Sequence, residues 1–275
     1  MKPWLLLLVL TSILTACSTS PTGRSQLMIV SPKSAIVESE KAYMSTMHEL
    51  DTNKKLLTDP AWVNRIRSIS GRLISEAVVK YPESKDWRWS VAIIDDPETL
   101  NAWCMAGGRM AIYSGIVIQL ELSDDEIAQI MGHEFAHALA NHTAERMSRA
   151  TLMNAGLAVT AQAVEGNQIA LGSAAMAAKL ALELPNSRTA ESEADRIGIE
   201  LAARAGYAPE AAVSLWKKME SAGGGGTPAF LSTHPSPSNR ASELAKLGPE
   251  MRALNPTMKK SNVHVVKIVT SSSEL

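Results

Sequence analysis

Apolar residues recur at helical spacing over 34–50 and 61–79, with Leu56, Trp62, Ile66, Ile69 and Leu73 as expected core contacts. From Trp87 to Ile94 the period changes to two and β-branched and aromatic residues dominate, which predicts a strand. Arg109–Tyr113 reads as a second strand after the Gly107-Gly108 turn, and 114–122 as a short helix. Ser123-Asp124-Asp125-Glu126 is a capping box that opens a longer helix, whose buried stripe is Ile127, Ile130, Met131, Phe135 and Leu139. The Ala-rich stretch 143–184 is interrupted by Gln162, Glu165, Gly166, Asn167 and Gln168. Neither half reaches the roughly 20 apolar residues of a membrane span, so the stretch predicts two packed helices joined by a Gly-Asn turn. A further helix carries Glu191 and Asp195, packs through Ile197, Ile199, Leu201 and Ala202, and ends at Gly206. Beyond Leu254 the apolar run Val263–Val269 can add one strand.

The first residues have a different character. Lys2 followed by the short apolar run from Trp4 to Leu14 has the form of a secretory signal. Leu14-Thr15-Ala16-Cys17 resembles the lipobox of bacterial lipoproteins, which implies cleavage before Cys17 and acylation of that residue. Ser18 stands where an Asp commonly retains such proteins in the inner membrane, so outer-membrane anchoring facing the periplasm is expected. Residues 18–33, rich in Ser, Thr, Pro and Gly, read as a tether. A net charge of −1 gives no sign of nucleic acid as a partner, and two cysteines are too few for a disulfide framework. With Cys17 acylated, Cys104 is a free and buried thiol.

The candidate chemistry lies on the capped helix. His133-Glu134-Phe135-Ala136-His137 reads H-E-x-x-H. Residues four apart share a helix face, so both imidazoles can meet one ion. Glu134 points away from that face by about 100° and can act on a water without being a ligand. A third protein ligand is then required, and two sources are open. His142 lies five residues past His137, about 140° round a continuous helix, without the glycine and six-residue spacing of the elongated motif. Glu191 and Asp195 share one face of the later helix, where one can bind the ion while the other orients a histidine ring; they are the better source.

Five stretches together resemble the gluzincin metallopeptidase family that contains HtpX and the CAAX prenyl endopeptidases, and more closely its periplasmic lipoprotein members. They are Thr22-Gly23-Arg24 with Gln26-Leu27, Asn101 to Gly115, His133 to His142, Glu191 to Gly198, and His234-Pro235 with Arg240 after the glycines at 223–226. The resemblance implies one zinc ion held by His133, His137 and Glu191, Glu134 as general base, and Asp195 orienting His133. It also implies that Gly108, Arg109, Met110, Ala111, Ile112 and Tyr113 form the edge strand along which substrate lies. His234 matches a position near the metal, as a resting ligand or an oxyanion donor; its glycine-rich flank favours the first. Arg240 either pins the loop or touches the site. The transmembrane helices of membrane-embedded relatives have no counterpart, so their prenylated substrates do not carry over.

The expectation is an α+β, mainly helical zincin-like domain with a small β-sheet beside the active-site helix. Its limits are signal peptide 1–16, lipidated N-terminus and tether 17–33, metallopeptidase domain 34–255, and tail 256–275. The expected function is zinc-dependent cleavage of unfolded or misassembled envelope proteins, with extended polypeptide as substrate, the membrane reached through the N-terminal lipid, and outer-membrane assembly machinery as a candidate partner. The alternative is a chaperone-like assembly factor that cleaves little.

Overall fold

The computed structural model describes residues 17–163, 184–222, 229–234 and 239–275, and positions 168, 172 and 176. The expected signal segment, the expected Gly-Asn turn, the glycines at 223–226 and Pro235 to Ser238 lie outside the described residues, as does nearly all of the stretch expected to form the second Ala-rich helix.

The chain starts with a hairpin of β1 (Cys17–Thr19) and β2 (Ser25–Leu27). Two long helices follow, α1 (Pro32–Thr52) and α2 (Pro60–Lys80), each with proline in its first turn and a side-chain cap from Ser31 or Asp59. Next come β3 (Ser90–Ile94), β4 (Ala102–Met105), β5 (Arg109–Tyr113) and the short α3 (Ser114–Gln119). Helix α4 (Asp124–Leu139) carries the H-E-x-x-H motif; α5 (His142–Ala163) and α6 (Leu184–Arg204) flank it. The remainder is α7 (Ala211–Ala222), α8 (Ala229–Thr233), α9 (Arg240–Leu254) and β6 (Lys267–Val269). The domain is mainly helical with a small mixed sheet, as the apolar periodicity implies. Among the described residues no helix is long and apolar enough to cross a membrane.

The sheet order is β4-β5-β3-β6. Strand β3 is buried along its whole length and runs parallel to both neighbours, with Ala92 opposite Ala111 on one side and Val269 on the other. Two sequence expectations change here. Residues 109–113 are not an edge strand, because β5 is bonded to β3 on one side and β4 on the other, which leaves it no free main-chain edge. The outer strands are β6 and, on the side next to β5, Ala102–Met105, where Ala102 and Cys104 point inward and Trp103 and Met105 are half-buried. Strand β4 turns into β5 through Ala106-Gly107-Gly108, and both glycines adopt positive φ (82° and 76°) that a side chain would strain. At Gly108 a Cβ would also strike the Trp89 ring at 2.3 Å.

The second change concerns 18–33. Despite its composition this stretch is folded: the β1–β2 hairpin docks through buried Ser20 and Gln26 onto α5 and α6, and Ser31 starts α1. Specific polar contacts fix it, which composition does not reveal.

Most of the core lies between α2, the sheet and α4. Ile66, Ile69 and Leu73 of α2 are buried with Ile93, Met110 and Phe135; Leu56 is buried against the other face of the sheet, and Trp62 is half-buried at the margin. Helix α4 starts on the expected capping box, Ser123 accepting from the Glu126 amide and Glu126 accepting from the Ser123 amide. Such a cap contributes on the order of 1 kcal/mol. Glu126 is used further: Ser214 and Lys218 of α7 both donate to it, which ties α7 to the start of α4.

Candidate metal centre

Helices α4 and α6 cross at a pair of glycines. A Cβ on Gly132 would lie 2.8 Å from the Gly198 carbonyl oxygen, and one on Gly198 would lie 2.7 Å from the His133 amide nitrogen. Only this backbone-to-backbone approach lets carboxylates of α6 reach histidines of α4. Glu191 Oε2 stands 3.3 Å from His133 Nε2, and Glu191 Oε1 3.5 Å from His137 Nε2. The two Nε2 atoms are 3.0 Å apart. Four-coordinate zinc with bonds of about 2.0–2.2 Å holds its donor atoms roughly 3.3–3.5 Å from one another, so the set fits one such ion. His234 joins the cluster, in which all ligand atoms lie within 4.8 Å of each other.

Each histidine is keyed through its other nitrogen. The His133 Nδ1–H donates to Asp195 Oδ1 at 3.1 Å, so its Nε2 lone pair faces the centre. Arg240 donates to the same Asp195 oxygen at 2.5 Å and approaches Glu191 Oε2 at 3.5 Å, with its guanidinium stacked 3.6 Å from the Trp216 ring. This buried arginine, on a helix remote in sequence, therefore touches the site and does more than fix a loop. His234 Nδ1 lies 3.0 Å from the Phe230 carbonyl, to which it can donate, and its ring stacks on Phe230 at 4.3 Å. Its Nε2 is thereby left towards the cluster.

His142 has a place the sequence did not give it. The α4 helix stops at Ala140, and Asn141 takes a left-handed φ of 57°, a conformation Asn tolerates. The chain swings back and sets His142 Nδ1 2.8 Å from His137 Nδ1, on the side away from the cluster. His142 is thus a partner of a ligand, not one of the cluster. The 140° argument fails because it assumes a continuous helix.

Electrostatically the centre favours a cation. Burial disfavours charge on His133, yet Asp195 and Glu191 outweigh it and lift the imidazole to about 9. Burial likewise opposes ionisation of Glu191, but its hydrogen bond with His133 and the surrounding positive charge hold the carboxyl below its ordinary value. Glu134 behaves differently: burial pushes it up to about 8, with His133 pulling down and Glu191 pushing up. Its Oε1 lies 3.2 Å from His234 Nε2 but without hydrogen-bond geometry, and is otherwise buried with no partner. A carboxylate oxygen left free beside such a donor set is placed to meet a reacting water.

The centre opens on a cleft of about 490 Å³ lined by the outer edge of β4 (Ala102, Trp103, Cys104), by Glu134, His137 and Glu191, and by His234. Arg146 and Arg149 of α5 line its far side. The Cys104 thiol is free and buried, and burial raises its pKa well above the ordinary value.

The signature of peptidase family M48 matches residues 58–247, more than half of the chain and all of the His133–Glu191 cluster. The chain belongs to peptidase family M48. It is 32% identical over 247 residues to the mitochondrial metalloendopeptidase OMA1 of Bos taurus, covering 86% of this chain and 46% of that one. Similarity to a putative beta-barrel assembly-enhancing protease of Vibrio cholerae is 31% over 207 residues (72% and 41% of the two chains). The metalloprotease YcaL of Escherichia coli is 30% identical over 146 residues, 53% of this chain and 57% of its own. This M48 chain spans about half the length of the curated relatives it matches.

Proposed function

We propose that this M48 protein is a zinc-dependent endopeptidase that cleaves extended segments of unfolded or misassembled envelope proteins. The observation that carries the reading is the Glu134 carboxylate, buried and without a partner on Oε1, beside a His133–His137–Glu191 donor set with the spacing of one zinc ion. When bound, zinc would lower the pKa of a water towards neutrality and polarise the scissile carbonyl. Glu134 takes the proton of that water and delivers it to the leaving amine. Substrate adds itself to β4, whose outer edge lines the cleft, through main-chain hydrogen bonds that tolerate many sequences. Folded proteins rarely offer a free extended strand, so the substrate class is unfolded or exposed chain.

The envelope address rests on the lipobox-like Leu14-Thr15-Ala16-Cys17, and the similarity to a beta-barrel assembly-enhancing protease supports a client among outer-membrane proteins. Anchoring at Cys17 predicts that Cys17→Ser abolishes acylation and releases the protein from the outer-membrane fraction; unchanged retention would place the anchor elsewhere. The deciding experiment for the activity compares wild type and Glu134→Gln for zinc content and for cleavage of an unfolded model protein. Equal zinc with turnover lost in the variant supports the peptidase. Equal cleavage by both, or none by either with clients still held soluble, would instead favour an assembly factor.

A further inference from the structure

The polar N-terminal segment has no part in the chemistry above, lies outside the residues matched by the family signature, and yet is wired to the metal centre. From the centre outward, His137 presents Nε2 to the cluster, so its Nδ1 carries the proton and donates to His142 Nδ1 at 2.8 Å. His142 must then hold its own proton on Nε2, which donates to Glu193 Oε2 at 3.1 Å. Glu193 is held from the other side by the hairpin. Thr22 Oγ1 donates to Oε1 at 2.6 Å and Arg24 Nε to Oε2 at 3.0 Å. Arg24 also forks onto Glu145 of α5 with two bonds of 2.8 and 2.7 Å. Gln26 closes the arrangement, donating to Glu145 Oε2 and to the carbonyl of Ala140, the residue that caps α4 at its C-terminal end. His142, Glu145, Glu193 and Gln26 are all buried.

We propose that Thr22 and Arg24 are positioning residues for the metal centre: through Glu193 and His142 they fix the tautomer and ring orientation of His137. A hairpin that only contributed packing would not need this chain. Glu193 offers its carboxylate in one direction to a histidine and in the other to the hairpin, where the Thr22 hydroxyl and Arg24 are the shortest donors and the Thr22 amide at 3.4 Å and the Ser20 hydroxyl add to them. Without the Thr22 hydroxyl and Arg24 its orientation is left to the longer Thr22 amide contact and Ser20, and His142 loses a firmly fixed acceptor. His142 can then rotate or take the other tautomer, in which Nδ1 is a donor and no longer accepts from His137. Direct partners of a ligating histidine, the place His142 takes beside His137, change metal affinity by about 10–100-fold in other metalloproteins, and the hairpin acts through that partner. The inference rests on the zinc reading above.

The test uses the full chain and two readouts besides turnover: zinc affinity by chelator competition, and the visible absorption spectrum of the cobalt-substituted protein, which reports ligand geometry. Thr22→Val and Arg24→Met are expected to weaken zinc binding by up to about tenfold and to shift the cobalt bands, with kcat falling more than KM changes. Thr22→Ser, which keeps the hydroxyl, should restore both. In a His142→Phe background, where the chain is already cut, Thr22→Val should cost no further zinc affinity. Should Arg24→Met fail to fold, Thr22→Val, a near-isosteric change, decides. Zinc affinity and cobalt spectrum unchanged in a folded Thr22→Val would overturn the inference, as would an equal loss in the His142→Phe background. A wild type that binds neither metal would overturn the zinc reading itself and this inference with it.

Discussion

Gly132 and Gly198 meet backbone to backbone where the H-E-x-x-H helix crosses the helix of Glu191, and neither position has room for a methyl group. The metal centre depends on that closeness, because Glu191 and Asp195 reach His133 and His137 only from a helix set at this distance. Gly198→Ala should therefore separate the helices. The obstructing atoms are the His133 amide nitrogen and Cα, which cannot swing aside as a flexible side chain would. We expect a loss of about 1–3 kcal/mol of stability and a weaker hold on zinc. For a domain of this size that corresponds to a fall in Tm of roughly 3–10 °C by scanning calorimetry. A variant that melts and binds zinc like wild type would show the crossing to be looser than the contact distances imply.

The choice of third ligand is tested by comparing two substitutions. Glu191→Ala should emerge from desalting without zinc, since a donor atom is gone. His142→Ala should still bind zinc, more weakly, because it removes only a partner of His137. The reverse order of metal content would assign the third ligand to His142.

His234 calls for a measurement of sign. Donation from Nδ1 to the Phe230 carbonyl and stacking on Phe230 leave Nε2 with the cluster, the posture of a resting ligand. Substrate would have to displace it, so His234→Ala should cleave an unfolded substrate faster than wild type. An oxyanion donor would act oppositely, its loss slowing turnover on the order of a hundredfold. Steady-state kcat at saturating zinc separates the two.

Acid should loosen the hairpin. Burial opposes ionisation of Glu145, but hydrogen bonds from Arg24 and Gln26 and the charge of Arg149 hold its carboxyl below the ordinary value. A depressed carboxyl stabilises the fold above its unfolded value, about 4.3, and that contribution disappears as pH falls through the folded value. Wild type should be the more stable of the pair with Glu145→Gln at pH 7, and urea midpoints should converge as pH falls below the ordinary glutamate value of about 4.3. A gap that stays constant with pH would mean that the charge on Glu145 contributes nothing.

Local signals carried much of the site into the sequence. His133, Glu134 and His137 are separated by helical spacing, the capping box announces their helix, and Glu191 with Asp195 is a second helical pair; the structure brings all five together. What was hidden depends on chain reversals and on distant partners. The family resemblance implies the edge strand at 108–113, whereas Asn101 to Met105 is short and shows its alternation only when paired; the register that encloses 109–113 on both sides is not written in either run. His142 was judged on an unbroken helix, and the left-handed Asn141 is the signal that could have corrected this. The hairpin was read as tether because its few Ser, Thr and Gly residues look alike whether solvated or docked. Arg24 and Gln26 find their partners more than a hundred residues away, a separation at which sequence patterning carries no information.

The pairing of β3 with β6 fixes an order of events in assembly. Strand β3 is central to the sheet that supports the cleft, yet one of its two neighbours, Lys267–Val269, comes from far along the chain. A chain supplied from its N-terminus, at synthesis or in transit as an extended polymer, carries β3 with an unsatisfied edge until Lys267–Val269 arrives. Such long-range closure is slow compared with helix formation. The sheet beside the cleft is therefore completed late, only after Lys267–Val269 has been delivered, and until then the centre stands on an unfinished support.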